Sequence, residues 1–173
     1  ANPIERFGYD AFAEASSVAG VDGLITVDLP PEEVGRLDHA LIQVGIDNIF
    51  LISPTTENER IETIVARARG FIYYVAVKGV TGSGQLDVNE VAQRVGVIRG
   101  MTDLPVAVGF GIKDADTASH VAQVADAVVV GSALIDEMVR KSRADANLEE
   151  IQIHEAAVQL LKRIRSGVDS SPS

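Results

Sequence analysis

The chain has 173 residues, 46% of them apolar and 23% charged, with no cysteine and a formal net charge of −10. That acidity argues against nucleic acid, whose phosphate backbone needs a basic face, and the lack of cysteine excludes disulfides and thiolate metal sites. No run reaches the roughly 18 apolar residues of a membrane span, and no basic-then-apolar leader opens the chain.

A single cytoplasmic domain is the expectation from these features. It is set at residues 1–165, with a frayed Gly/Ser/Asp/Pro-rich tail over residues 166–173. Because the chain opens on Ala1 in the middle of a pattern, it is also expected to be part of a longer protein.

In chain order, residues 1–8 read as a loop, since Asn2-Pro3 favours a turn and Gly8 is a break. A helix follows from Tyr9 to Gly20, then a strand at Leu24-Ile25-Thr26-Val27. Pro30-Pro31 with Glu32 and Glu33 suits the start of a second helix, whose buried stripe is Val34, Leu37 and Leu41. Ile49 to Ile52 is the next strand, and Thr56 with Glu59 predicts a capping box. Ile61, Ile64, Val65 and Ala68 then mark one helical face.

Phe71 to Val77 predicts a strand that leaves through the glycine-bearing loop 78–84, after which Asp87 and Glu90 cap a helix faced by Val88, Val91, Ala92 and Val95. Two short β-branched runs follow, Val106-Ala107-Val108-Gly109-Phe110-Gly111 and Val128-Val129-Val130-Gly131-Ser132, separated by a helix over 114–124. Runs of this kind are strands buried on both faces, as in helix-covered parallel sheets. After Ser132 come a short helix, a polar loop over 140–147, and a last helix over 148–165.

These are five strand–helix units in βαβ rhythm. A complete (β/α)8 barrel needs about 250 residues, so the chain is read as an α/β fold of the (β/α)8 TIM-barrel family, holding the last five units.

Ligands of such folds sit at the carboxyl ends of strands. That places Asp28, Ser53, loop 78–84, Phe110-Gly111 and Gly131-Ser132 at the candidate site. Any one glycine there could simply make a tight turn. Three glycine-bearing loops at successive strand ends favour a phosphate cradle of backbone N–H groups. Asp28 is either a general acid–base or a carboxylate that fixes its own loop. The second reading is favoured, because no other strand-end acid or histidine accompanies it. His39, His120 and His154 fall in helices, no His/Asp/Glu set has metal spacing, and Ser132 has no adjacent base to make it a nucleophile. Tyr73 and Phe110 could line an aromatic ligand or simply fill core.

Lys78-Gly79-Val80-Thr81-Gly82, Gly109-Phe110-Gly111-Ile112 and Val130-Gly131-Ser132-Ala133, in this order and spacing, resemble the tryptophan synthase α chain. Val21-Asp22-Gly23, Val27-Asp28-Leu29-Pro30 and Leu51-Ile52-Ser53-Pro54-Thr55-Thr56 agree, and the likeness runs to about residue 164. The resemblance implies a lyase of tryptophan biosynthesis that splits indole-3-glycerol phosphate into indole and glyceraldehyde 3-phosphate. It also implies assembly as a heterotetramer with a β chain, faced by Asn2 and Pro30. The α chain itself has no cofactor, and pyridoxal phosphate belongs to the β chain.

By the same resemblance the phosphate lies on Gly82, Gly111, Gly131 and Ser132. The indole is bordered by Ile25, Val27, Ile52, Tyr73, Phe110 and Val129. Thr81 belongs to a lid, loop 78–84, that closes against a catalytic aspartate. The family's catalytic glutamate and aspartate lie upstream of the segment matched by Ala1, so the 173-residue chain is expected to be inactive alone and to present two open sheet edges. The competing expectations are another phosphate-binding barrel, an isomerase or epimerase, and a non-catalytic half-barrel.

Overall fold

The computed structural model describes residues 1–76, 88–109, 111–145 and 148–170. Five parallel strands form one sheet in the order β1 (Gly23–Ile25), β2 (Asp47–Ile52), β3 (Ile72–Val75), β4 (Val106–Gly109) and β5 (Ala127–Val129). Spatial order equals chain order, and a helical segment lies between each strand and the next, which is the (β/α) barrel pattern. β1 and β5 stand at the two ends of the order.

Two compact units make up the chain: residues 1–74 with 97–106, and residues 75–96 with 107–173. In the first, the sequence dictates a helix wherever its apolar residues recur at three- and four-residue steps. Val34, Leu37 and Leu41 are buried on or just before α3 (Gly35–Gln43), and Ile61 and Ile64 on α4 (Asn58–Val65). β2 is apolar on both sides, so Ile49, Phe50 and Ile52 are all buried. The Ile72 N–H continues the ladder to the Pro105 carbonyl at 2.9 Å.

The lower end of β2 is held by charge. Asn48 is completely buried, and its Nδ2 donates to Asp38 Oδ1 at 3.3 Å, while Arg69 donates to the same oxygen at 3.1 Å. Arg69 also pairs with Asp47 at 3.6 Å. A second acid in that place would have no cation of its own. Asn48→Asp is therefore expected to cost about 3 kcal/mol or more, the penalty of an uncompensated buried charge. Urea unfolding checks this, and an unchanged midpoint would show that the site takes up water or a proton at little cost.

In the second unit, the helix β4 leads to, α6 (Ala115–Ala122), packs on the terminal helix α8 (Glu150–Asp169). Gly167 makes the close approach: a Cβ there would lie 2.3 Å from the Ala115 carbonyl oxygen. α7 (Ser132–Ala144) packs on α8 as well. The remaining helices are α1 (Asn2–Phe7), α2 (Tyr9–Val18) and α5 (Val88–Arg99).

Several expectations change. Residues 2–7 are helical rather than looped, because Pro3 sits in the first turn, where its missing N–H has no partner to lose. Thr56 does not cap the α4 N-terminus. Its hydroxyl instead accepts the Ser53 N–H at 3.0 Å, and the helix starts after Glu57. α7 continues through the stretch read as polar loop as far as Ala144, helped by an Arg140–Glu137 pair one turn apart. The last helix runs to Asp169, four residues into the expected tail, because Gly167 is buried and Arg165 pairs with Asp169. The expected Asp87 cap lies outside the described residues.

Candidate functional site

The register of the first unit decides which side chains share a face. β1 and β2 pair Ile25 with Ile49, and β2 and β3 pair Leu51 with Tyr73 and Ile52 with Tyr74. Paired residues of a parallel ladder point the same way, and neighbours along a strand point oppositely. Ile25, Ile49, Leu51 and Tyr73 therefore lie on one face, while Ile52 and Tyr74 lie on the other.

Burial agrees. Ile52 and Tyr74 are at most 1% exposed, whereas Leu51 and Tyr73 are half-buried and Ile25 is 42% exposed. The Asn48 contact with Asp38 shows that the Ile52 face is the one covered by α3. Ile52, expected beside Tyr73 at the indole, is thus a helix-side core residue. Leu51 is the β2 residue that shares the face of Tyr73 in this ladder. Sequence reading missed Leu51 because every residue from Ile49 to Ile52 is apolar, so no alternation marks the face.

Val27 lies just beyond β1 and is 81% exposed. Between the β1 and β2 exits lies a cavity of about 260 Å³, lined by Val27, Asp28, Leu51, Thr56 and Arg60 among others. Asp28 is exposed. An exposed aspartate is ionised at neutral pH and is poorly suited to donate a proton. Arg60 pairs with Glu32.

The second unit holds Gly111, Gly131, Ser132 and Val129. Gly111 follows β4 with φ +80°, a left-handed backbone that only glycine adopts without cost. Gly131 is the N-cap of α7 and Ser132 its first residue, both exposed. No side chain caps this helix, and no acid occupies its first turn. The Leu134 N–H donates to the Gly131 carbonyl at 3.0 Å, which leaves the Ser132 and Ala133 N–H groups and the positive end of the helix dipole to face an anion.

Gly131 has a negative φ of −129°, and nothing among the described residues lies within 4 Å of where its Cβ would be. Packing does not demand glycine there, although its ψ of −81° at this φ lies outside the regions that L-residues favour. Val129 pairs with Gly109 across the β4–β5 ladder and is half-buried. Thr81, Gly82, Phe110 and the lid loop 78–84 lie outside the described residues.

α6 offers the contrast. Its N-terminus is filled by its own capping box, in which Asp114 accepts the Thr117 N–H at 2.8 Å. That bond lowers the Asp114 pKa against an opposing desolvation. The sign follows from linkage: the stabilisation is present above the unfolded aspartate pKa of about 3.9 and fades as pH falls through the lower folded value. We expect Asp114→Ala to cost about 1 kcal/mol at pH 7 and progressively less in acid. Thermal melts at both pH values check this, and an equal loss at each would reject the ionised cap.

His39, His120 and His154 are exposed on α3, α6 and α8. No metal-holding cluster of His, Cys, Asp or Glu occurs among the described residues. No helix among them is long and apolar enough to cross a membrane.

The sequence profile described as "Tryptophan synthase alpha chain" matches residues 1–165. The chain belongs to the tryptophan synthase alpha chain family. It is 57% identical over 137 residues to the tryptophan synthase alpha chain of Thioalkalivibrio sulfidiphilus, covering 79% of this chain and 52% of that one. Against the alpha chain of Nitrosococcus oceani it is 49% identical over 171 residues, covering 98% and 61%.

Among solved structures, the tryptophan synthase alpha chain of Legionella pneumophila superposes with a TM-score of 0.84 at 38% identity, covering all of this chain and 62% of that one. Tryptophan synthase from M. tuberculosis gives 0.80 at 32% identity, covering 96% and 58%. The chain spans about three-fifths of the length of the alpha chains it matches from end to end. Tryptophan synthase alpha family membership accounts for the five-strand partial barrel and decides against an unrelated isomerase or epimerase barrel.

Proposed function

We propose that this chain is the substrate-holding part of a tryptophan synthase α subunit, which cleaves indole-3-glycerol phosphate to indole and glyceraldehyde 3-phosphate. The observation that carries the phosphate assignment is the uncapped α7 N-terminus at Gly131-Ser132, in the same unit as left-handed Gly111. Glycine at 131 meets no packing demand, and it leaves room for a phosphate oxygen to reach the Ser132 and Ala133 N–H groups. The Ser132 hydroxyl adds a further donor, and Gly82 completes the expected cradle.

The family resemblance assigns the indole contacts to Ile25, Val27, Tyr73, Phe110 and Val129, and the first unit's ladder puts Leu51 on the face of Ile25 and Tyr73. Binding here would orient the substrate. The acid and the base that break the carbon–carbon bond come from elsewhere in the subunit, because among the described residues the strand ends carry only Asp28, which is exposed and so ionised at neutral pH. Thr81 acts in closing the lid. The partner is the β chain, which carries the pyridoxal phosphate and consumes the indole.

Titration with glycerol 3-phosphate, followed by heteronuclear NMR, tests the cradle. Shifts are expected at Gly111, Gly131 and Ser132. Gly131→Asp should weaken binding at least about tenfold, since it sets a carboxylate where the anion sits. Shifts spread over basic surface residues, with Gly131→Asp unchanged, would reject the assignment.

A further inference from the structure

Residues 26–34 join β1 to α3 without a strand or helix of their own. Val27 is 81% exposed, so its own packing cannot fix where it stands. The segment is held instead by α4, a helix of the next strand–helix unit. Arg60 on α4 donates from Nη1 to the Glu32 carboxylate. Arg67 donates from Nη1 to the carbonyl of Pro31, which is buried.

Arg67 lies just past α4, but the Ala66 and Ala68 N–H groups still donate to Glu62 and Ile64. The chain therefore keeps its helical path, and the two arginines stand about two turns apart on one face. Between them on that face is Ile64, which is buried and lines the cavity of about 260 Å³ together with Val27, Pro31 and Arg60. The Glu32 carboxyl is held below the ordinary glutamate range, first by its own backbone and then by Arg60, with the charge of Arg67 adding to it. Pro30 and Pro31 restrict the backbone between these anchors and Val27.

We propose, resting on the indole assignment above, that Arg60 and Arg67 are positioning residues that clamp the β1 exit loop and hold Val27 at the border of the indole site. The Arg60 and Glu32 side chains are 42% and 53% exposed, so their pair adds little to global stability. Its effect is local, on where the loop stands. The clamp acts on the indole half of the substrate alone. The loop, Ile25 and Tyr73 belong to the first unit, whereas Gly111, Gly131 and Ser132 belong to the second.

Binding of indole and of glycerol 3-phosphate to the intact α subunit carrying these residues tests the clamp, read by heteronuclear NMR, with thermal melts to confirm that each variant folds. Arg60→Met and Arg67→Met keep the aliphatic stems and lose the donors. Each is expected to weaken indole binding about threefold to tenfold and to leave glycerol 3-phosphate affinity within about twofold. Arg60→Glu should weaken indole binding as well, and Glu32→Arg in the same chain should restore it, since the pair is then remade with its charges exchanged. Equal weakening for both ligands, or exchange without restoration, overturns the proposal in favour of a general structural role. Indole binding unchanged in every variant rejects the clamp and leaves the indole site standing. A wild-type subunit that takes up no indole rejects the indole site, and the role of the clamp falls with it.

Discussion

The 173-residue chain by itself is expected to release no indole from indole-3-glycerol phosphate above the uncatalysed rate. Cleavage needs a proton delivered to one atom and removed from another, and positioned acids and bases each contribute about a hundredfold to ten-thousandfold. Among the described residues, the strand ends offer neither. Asp28 is exposed and therefore ionised at neutral pH. All three histidines are exposed on helices. A cradle that binds substrate without acid and base holds ground and transition states equally, which does not accelerate the reaction. A sensitive indole assay at millimolar substrate is the check. Turnover that disappears in Gly131→Asp would sink this expectation and reveal a proton-transfer group not recognised among these residues.

The second large effect is expected at Gly167. On an exposed helix, glycine to alanine stabilises by up to about 1 kcal/mol. Here the added Cβ would sit 2.3 Å from the Ala115 carbonyl oxygen and 2.9 Å from its Cα, both backbone atoms. No rotamer relieves that clash, so α8 must move off α6, at a cost of about 3 kcal/mol by analogy with overpacked cores. Packing outweighs propensity, and Gly167→Ala is expected to destabilise by about 2 kcal/mol net, lowering the melting temperature by about 4–8 °C. A rise in melting temperature would mean that the α6–α8 contact is loose enough to absorb a methyl group. Because the α7–α8 contact lies in the same unit, the variant also tests whether the Gly131-Ser132 end depends on α8. If it does, glycerol 3-phosphate affinity falls together with stability.

Much of the chain was legible in advance because its signals are local. The buried stripe of Val34, Leu37 and Leu41 follows from helical period alone, and all three side chains are at most 1% exposed. The Gly111 turn follows from glycine at a strand exit, and its φ is +80°.

What the sequence determined by itself was the list of strands, the helices that follow them and the (β/α) rhythm, while α1 went unread. What only the tertiary structure decided was facing and extent. Ile49, Phe50, Leu51 and Ile52 are all apolar, so their order contains no period-two signal, and the ladder with β3 was needed to set Leu51 beside Tyr73 and turn Ile52 toward the helices. The end of α8 was equally hidden, since Ser166-Gly167 reads as a helix stop until Ala115 is brought against it. The physical reason is the same in both cases: a contact between residues distant in the chain fixed the outcome, and neither partner alone carries that information.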